Sequence, residues 1–368
     1  MRILIAPDSF KGTLSADEVC DIIGSAFEDG NENDIIKMPL ADGGEGLCSC
    51  LERIVPGRMI YARARGVFGE EISAGYLMLD DGTAVIETAS VAGLPMAGDR
   101  KNPELAVTSG LGDLLSDALE KGAKSILLGL GGSATNDCGT GMAAALGFRF
   151  EDESGNEIEP KGANLGAVRN IIPPAKPYPL PVVCACDVEN PLHGEKGAAY
   201  VFAPQKGADE AMVRRLDGGL KNIASVIEKC LGKKIDDIPG AGAAGGLGAG
   251  ACAFLGAKLE RGIDIILDKA GFDEKAAECD FVITGEGRLD FQSADGKVIS
   301  GVAKRASALG KPVYALCGCR GEGAERILTC GVSDMFFSCE EAKPFEEIRA
   351  NCKADLYSAA MRMKVKIV

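Results

Sequence analysis

The chain has 368 residues, 46% of them hydrophobic, with 54 acidic against 40 basic side chains and a formal net charge of −14. That length allows a large core and, at about 150 residues per domain, suggests two domains. The negative balance, with no run of basic residues, argues against nucleic-acid backbones and anionic membrane surfaces as partners.

No apolar run approaches the ~18 residues of a membrane span. The amino terminus, MRILIA, starts directly as a strand with no signal-peptide pattern, so a cytoplasmic location is expected. Glycine is in excess: 49 residues, near twice the usual ~7% share, gathered in polar-flanked loops where backbone can approach a ligand. Fourteen cysteines occur without a C-x-x-C. The pairs Cys48/Cys50, Cys184/Cys186 and Cys317/Cys319 are all C-x-C, and reduced thiols in place of Ala or Ser are expected. The single His193, in the loop NPLHGEKG, removes Ser-His and Cys-His catalysis unless it is itself the base, and weakens any zinc site.

In chain order, residues 3–6 read as a short strand ending in the polar loop Asp8, Ser9, Phe10, Lys11, Gly12. Ser15-x-x-Glu18 is a capping box, and Val19, Ile22, Ile23, Ala26 and Phe27 supply helical spacing. A second strand at 35–38 runs into Asp42, Gly43, Gly44, Glu45, Gly46 and then a helix at 47–54. Ligands bind beyond the carboxyl ends of parallel strands, so both loops are candidate binding elements. From residue 58 the period changes to two, with alternating segments at 59–65, 72–79 and 83–88 and a turn at Asp80-Asp81-Gly82. Antiparallel pairing after a parallel unit signals a new domain near 60–70. A helix at 109–121, with Leu111, Leu114, Leu115, Ala118 and Leu119 as its inner face, leads to the stretch on which the chain centres.

That stretch is SILLGLGGSATNDCGTG, residues 125–141: a buried strand, a glycine loop, and a helix opening near Asn136 or Gly139. Its layout suits a phosphate. Gly129-x-Gly131-x-x-Ala134 also matches a dinucleotide fingerprint, with Glu151 and Asp152 near the expected offset, which keeps an NAD-linked oxidoreductase as an alternative. The hydroxyl, amide and carboxylate groups of Ser133, Thr135, Asn136 and Asp137 fit phosphoryl transfer with a metal ion better. Residues 151–180 are polar and Pro-rich. A strand at 182–186 ends at Asp187, and a long amphipathic helix covers 208–231. The segment 240–250, GAGAAGGLGAG, contains G-x-G-x-x-G but follows no strand, so close helix packing or cleft lining is expected of it. The last third reads as doubly wound: strand 281–284, helix 298–309, strand 312–317, helix 323–329, strand 335–337 and a terminal helix from 341 to about 361. Its first strand opens onto Gly285, Glu286, Gly287, Arg288, Asp290, Gln292 and Lys297. The layout predicts an α/β protein with a parallel-sheet domain from both termini, residues 1–65 and 265–368, and an inserted mixed domain, 66–264.

The carboxylates among these glycines suit magnesium held through one or two oxygens plus phosphates. Phosphoryl transfer then needs alignment, charge neutralisation and a base on the attacking hydroxyl. Walker, protein-kinase and nucleophile-elbow motifs are all absent.

On seven ordered signatures the chain closely resembles the bacterial glycerate kinase family, of the type that yields 2-phosphoglycerate. They are APDSFKGTLSA at 6–16, LADGGEG at 40–46, LGLGGSATNDCGTGM at 128–142, CDVENPLHGEKGA at 186–198, PQKGA at 204–208, GAGAAGGLGA at 240–249 and ITGEGRLDFQSADGK at 283–297. The resemblance spans nearly the whole length, departing in Cys138, where the family more often has Gly, and in Ser293, more often Thr. It implies a flavodoxin-like domain beside a mixed α/β domain, D-glycerate and ATP as substrates, and Mg²⁺ as cofactor. From the residues themselves, Gly131, Gly132, Ser133, Ala134 and Asn136 are assigned to phosphate and nucleotide. Asp187 or Asp290 is the candidate base, and Lys11 or Lys206 the neutralising cation. Asp8, Ser9, Lys206, Asp42 and Glu45 are candidates for substrate, and Glu286 for the metal. Kinases for another hydroxy or sugar acid, and a non-catalytic ligand sensor, are the remaining alternatives; a monomer or homodimer is expected.

Overall fold

The computed structural model describes the whole chain except residues 11, 29–32, 42–45, 295–296 and 341–342. Among the described residues the strands run, in chain order, β1 (Arg2–Ile5), β2 (Asp34–Lys37), β3 (Gly57–Arg65), β4 (Glu71–Leu79), β5 (Thr83–Glu87), β6 (Ser125–Gly129) and β7 (Arg149–Glu151). They continue with β8 (Asn170–Ile172), β9 (Val182–Ala185), β10 (Lys258–Glu260), β11 (Phe281–Thr284), β12 (Arg288–Leu289), β13 (Val313–Arg320) and β14 (Asp334–Cys339). The chain divides into two compact units. One comprises Met1–Asp42, Arg53–Val55 and Ile263–Val368; the other comprises Gly43–Glu52 and Pro56–Gly262.

The first unit carries a sheet ordered β2, β1, β11, β13, β14, all parallel, with short β12 also on β13. Ile3, Leu4, Ile5, Val282, Ile283 and Leu316 are fully buried, the near-continuous apolar run that a sheet covered on both faces requires. The helix Ala16–Glu28 is capped as its sequence predicts: Ser15 N–H donates to Glu18 Oε2 (3.0 Å) and Glu18 N–H to Ser15 Oγ (3.3 Å). It buries Val19, Ile23, Ala26 and Phe27 in one cluster with Phe281, Leu356, Ala359 and Met363, the last three from the terminal helix Phe345–Ile367. That helix begins at Phe345, later than its pattern predicts, because Pro344 is held extended at its start (φ −56°, ψ 141°) and disfavours helix in the residue before it. The segment expected as an α-helix at 323–329 is a 3₁₀ turn, Ala324–Cys330. It is bracketed by Gly323 (φ +73°) and Gly331 (φ +103°), whose left-handed backbone stops helical propagation at both ends.

The second unit carries a mixed sheet ordered β10, β9, β6, β5, β4, β3. The β3/β4 and β4/β5 pairs are antiparallel, and β5, β6, β9 and β10 run parallel. Gly82 turns the β4–β5 hairpin at φ +90°. The helix Ser109–Glu120 buries Leu111, Leu114, Leu115 and Ala118, whereas Leu119, expected on that face, lies off the stripe and is 36% exposed. Residues 151–180 fold into the small β7–β8 pair and a 3₁₀ turn, Gly162–Ala167. The long helix Glu210–Leu231 is capped by Asp209, which accepts Met212 N–H (2.8 Å), and closed by Gly232 at φ +66°.

The glycine-rich segment is not a nucleotide fingerprint. It forms the short helix Ala243–Gly250, whose start is left-handed at Ala244 (φ +53°), Gly245 and Gly246. A Cβ on Gly245 would sit 2.0 Å from the carbonyl oxygen of Thr135, and one on Gly250 2.0 Å from that of Cys138. These glycines let the segment lie directly on the backbone of the 130–139 loop. Gly250→Ala, at an ordinary helical φ, tests packing alone and should destabilise the second unit by about 3 kcal/mol. Urea unfolding followed by circular dichroism measures this, and a loss under about 1 kcal/mol would contradict it.

Candidate active site

The second unit builds its part of the site on β6. The strand ends at Gly129, whose carbonyl accepts both the N–H and the hydroxyl of Thr88 (2.9 and 2.7 Å). Beyond it, Gly132 turns at φ +73°, its carbonyl accepting Leu94 N–H, and Ala134 donates its N–H to Ala92 O (2.8 Å). Gly131, Gly132 and Ser133 donate to no backbone carbonyl among the described residues. The following helix, Thr140–Ala145, opens after Gly139, itself left-handed at φ +68°. A dinucleotide fingerprint needs the helix to open inside the motif so that its first turn meets the pyrophosphate. Here it opens six positions past Ala134, and Glu151 ends β7 in a separate two-stranded pair. The geometry does not support the dinucleotide reading.

Two buried polar side chains hold the loop, and a third is unpaired. Asp137, with no exposed surface, accepts from Thr108 N–H (2.9 Å), Thr108 Oγ1–H (2.8 Å), Gly139 N–H (3.0 Å) and Gly141 N–H (3.3 Å). Burial pushes its carboxyl up from the usual range and these donors pull the other way. Lys206, placed by the turn Pro204–Lys206, is 2% exposed; its Nζ donates to Ser133 Oγ (3.0 Å) and Thr135 O (2.8 Å). Burial lowers its pKa to about 7, opposed by the charge of Asp137. Asn136 is fully buried, and neither its Oδ1 nor its Nδ2 has a partner. Two residues past the end of β9, Asp187 is exposed, and its Oδ1 accepts Gly262 N–H (2.9 Å) at the start of the helix Gly262–Lys269.

The first unit builds a second cluster from adjacent strands. β1 and β11 lie side by side, so the loops leaving their carboxyl ends do too: Asp8 N–H donates to Gly285 O (2.8 Å) and Thr284 Oγ1–H to Ala6 O (2.9 Å). Asp8, Ser9, Glu286, Arg288 and Lys297 line a cavity of about 340 Å³. The backbone reaches this position because Gly285 has no side chain: a Cβ there would meet Leu316 O at 1.9 Å. Glu286 is buried and its Oε1 has no partner. Burial pushes its carboxyl up to about 7; the Ser293 hydroxyl and Lys297 pull it down, and the charges of Asp8 and Asp290 add to the rise. Asp290 accepts Gln292 N–H (2.9 Å) while its own N–H goes to Ser293 Oγ (3.1 Å), the pattern of a residue starting the short turn Phe291–Ala294.

The structure thus gathers Gly131, Gly132, Ser133, Asn136 and Lys206 in one unit, with Asp187 just beyond the end of the neighbouring strand, and Asp8, Ser9 and Glu286 in the other, with Asp290 nearby. Lys11, Asp42 and Glu45 lie outside the described residues. No group of three or more His, Cys, Asp or Glu side chains suited to a metal occurs among the described residues. All fourteen cysteines are free thiols, and burial raises those of Cys48, Cys184 and Cys317. His193 sits half-buried, 3.7 Å from Asp236. Among the described residues no helix is long and apolar enough to cross a membrane. Sequence reasoning missed Thr108, whose hydroxyl links Asp137 to Met142 N–H (2.9 Å), and Glu87, whose carboxylate accepts Gly46 and Leu47 N–H (2.6 and 2.9 Å). An isolated Thr or Glu at a strand or helix end carries no spacing signal.

Because Lys206 holds its proton less tightly folded than unfolded, the unfolded chain binds more protons between about pH 7 and its ordinary value of 10.5. Its contribution to stability therefore rises with pH across that window. Subtracting the stability of Lys206→Met from that of the parent, measured by urea unfolding from pH 7 to 10, should give a rising difference; a flat one would refute the buried titration.

The glycerate kinase family model matches residues 3–367. Glycerate kinase of Bacillus subtilis strain 168 is 43% identical over 353 residues, covering 94% of this chain and 92% of that protein. Glycerate 2-kinase of Escherichia coli K12 is 43% identical over 344 residues, 91% of this chain and 90% of that one. The crystal structure of a provisionally named glycerate kinase 2 from Salmonella typhimurium LT2 superposes with a TM-score of 0.87 at 37% identity, covering 100% of this chain and 98% of its own. With a kinase family matched from end to end and the glycine loop and acidic cavity in place, the chain belongs to the glycerate kinase family.

Proposed function

We propose that this enzyme transfers the terminal phosphoryl group of ATP to the 2-hydroxyl of D-glycerate, giving 2-phosphoglycerate, and that it acts in the cytoplasm as a monomer or homodimer. Beside family membership, one observation carries the reading at the level of geometry. A fully buried amide, Asn136, spends neither its donor nor its acceptor on the protein, within a loop of glycines whose N–H groups are also unspent. Buried polar groups are otherwise paired almost without exception, so this loop is built for a polar ligand. Phosphate oxygens match the N–H groups of Gly131, Gly132 and Ser133 and the Asn136 amide. Ala134 contributes its place in the turn, its N–H being committed to Ala92.

Lys206 keeps Ser133 and the Thr135 carbonyl in register and adds positive charge beside the transferring group. Asp187 is the base for the glycerate hydroxyl; it follows the strand that pairs with β6, whereas Asp290 serves its own turn by accepting Gln292 N–H. Asp8, Ser9 and Lys297 contact the substrate's hydroxyl and carboxylate groups. Asp42 and Glu45 are assigned to the same substrate and Lys11 to charge neutralisation on their sequence motifs. The partnerless Glu286 Oε1, with Asp8 beside it, fits a magnesium ion, which takes one or two protein carboxylates and completes its shell with water and phosphate. When bound, the ion would neutralise charge on the phosphate oxygens. The order β2, β1, β11, β13, β14 supports reading the first unit as a flavodoxin-like domain into which the mixed α/β domain is inserted.

Purified enzyme should release ADP from ATP only when D-glycerate and Mg²⁺ are both present. Phosphorus NMR of the product should show the coupling of a secondary phosphate ester, and a 3-phosphate product would overturn the regiochemistry. Asp187→Asn should lower kcat by about 10²-fold; turnover within a factor of a few of the parent would remove Asp187 as the base.

A further inference from the structure

The second unit holds another cavity, of about 540 Å³, lined by none of the residues assigned above. We propose that it is an adenine-nucleotide site, with the base against its apolar wall and the first phosphate at its cationic rim. This rests on the kinase reading and deepens it by naming where the nucleoside half of the cosubstrate binds.

Four features converge there. Its size lies within the range of small-molecule pockets, and Phe68, Leu105, Val107 and Pro160 supply an apolar wall on which Leu105 remains 48% exposed. The rim carries Arg65, Arg100 and Lys161 in a chain whose net charge is −14. Arg65 is held in place by Asp113, through Nε (2.9 Å) and Nη2 (2.6 Å), and the Arg100 guanidinium carbon stands over Phe68, 4.7 Å from the ring centre. Arg100 also approaches Glu70 at 3.9 Å, and Lys161 pairs with Glu159. An anion would therefore meet fixed guanidinium groups, not freely swinging ones.

At the floor the helix Ser109–Glu120 begins. Its cap residue, Thr108, makes no side-chain capping bond because its hydroxyl is donated to Asp137. The first-turn N–H of Ser109 finds no backbone acceptor, and Ser109, 8% exposed, lines the cavity. A helix start with an uncommitted first-turn N–H, opening into an apolar-walled cavity with a basic rim, suits the anionic end of such a ligand. The opposite wall is Gly141, whose N–H is tied to Asp137, so the cavity and the glycine loop share one rigid support.

Calorimetric titration of the full-length protein with ADP tests the site without requiring turnover. The charge-reversed pair Arg100→Glu/Lys161→Glu, both on the rim, should weaken ADP binding at least tenfold. Leu105→Asp, which leaves the rim charge on Arg100 and Lys161 intact, should weaken it by a similar factor. In steady-state assays the KM for ATP should rise in parallel while the KM for D-glycerate changes less than twofold. If the parent does not bind ADP, or if both variants bind it with the parent's affinity, the proposal falls. The kinase reading fails separately, through the absence of glycerate-dependent ADP release by the parent.

Discussion

The fully buried carboxylate of Asp137 is the constraint on which the second unit depends. An isolated ionised carboxylate in an apolar interior costs far more than a folded protein can absorb, so its four donors are a condition of its being there. Those donors come from the start of one helix, the start of another and the turn between the glycine loop and the second helix. One side chain thereby fixes three pieces of backbone that sequence separates by some thirty positions. Lys206 completes the arrangement from the far side of the loop, binding Ser133 and Thr135. The loop is thereby held while the N–H groups of Gly131, Gly132 and Ser133 and the Asn136 amide stay uncommitted.

Besides its left-handed turns, glycine serves both units by the removal of a Cβ where two backbones touch. Gly245 and Gly250 let a short helix lie on the loop carbonyls, and Gly285 and Gly318 let the loop after β11 press against β13. A methyl group at Gly318 would stand 2.3 Å from Gly287 O. Cys138 is the one place in the loop where a side chain is forced into the left-handed region (φ +54°), a conformation that favours glycine.

Much of this was legible in the residues. The Ser15/Glu18 box, the period-two hairpin around Gly82 and the apolar runs of β1, β6, β11 and β13 located their elements because each depends on local spacing. The family signatures named the chemistry, and the strand-end rule pointed to Asp8, Ser133, Asp187 and Glu286. What stayed hidden was long-range pairing. Nothing near Lys206 in the chain indicates that its amine is buried against Ser133, since the partner lies 73 positions away. The same holds for the basic rim of the larger cavity, whose arginines are scattered through strand and loop segments that look solvated. The terminal helix starts at Phe345 and not at 341, since Pro344 is extended and disfavours helix before it.

The pairing of β1 with β11 has a bearing on biosynthesis. Ile3 sits opposite Phe281, and Thr284 reaches back 278 positions to the carbonyl of Ala6. A ribosome delivers the amino-terminal strand long before its neighbour exists, while the stretch from Pro56 to Gly262 emerges as one uninterrupted block able to collapse first. Newborn chains must therefore carry an apolar strand with an open edge through most of translation, which makes this segment the natural client of a holding chaperone and the first site of aggregation when synthesis stalls.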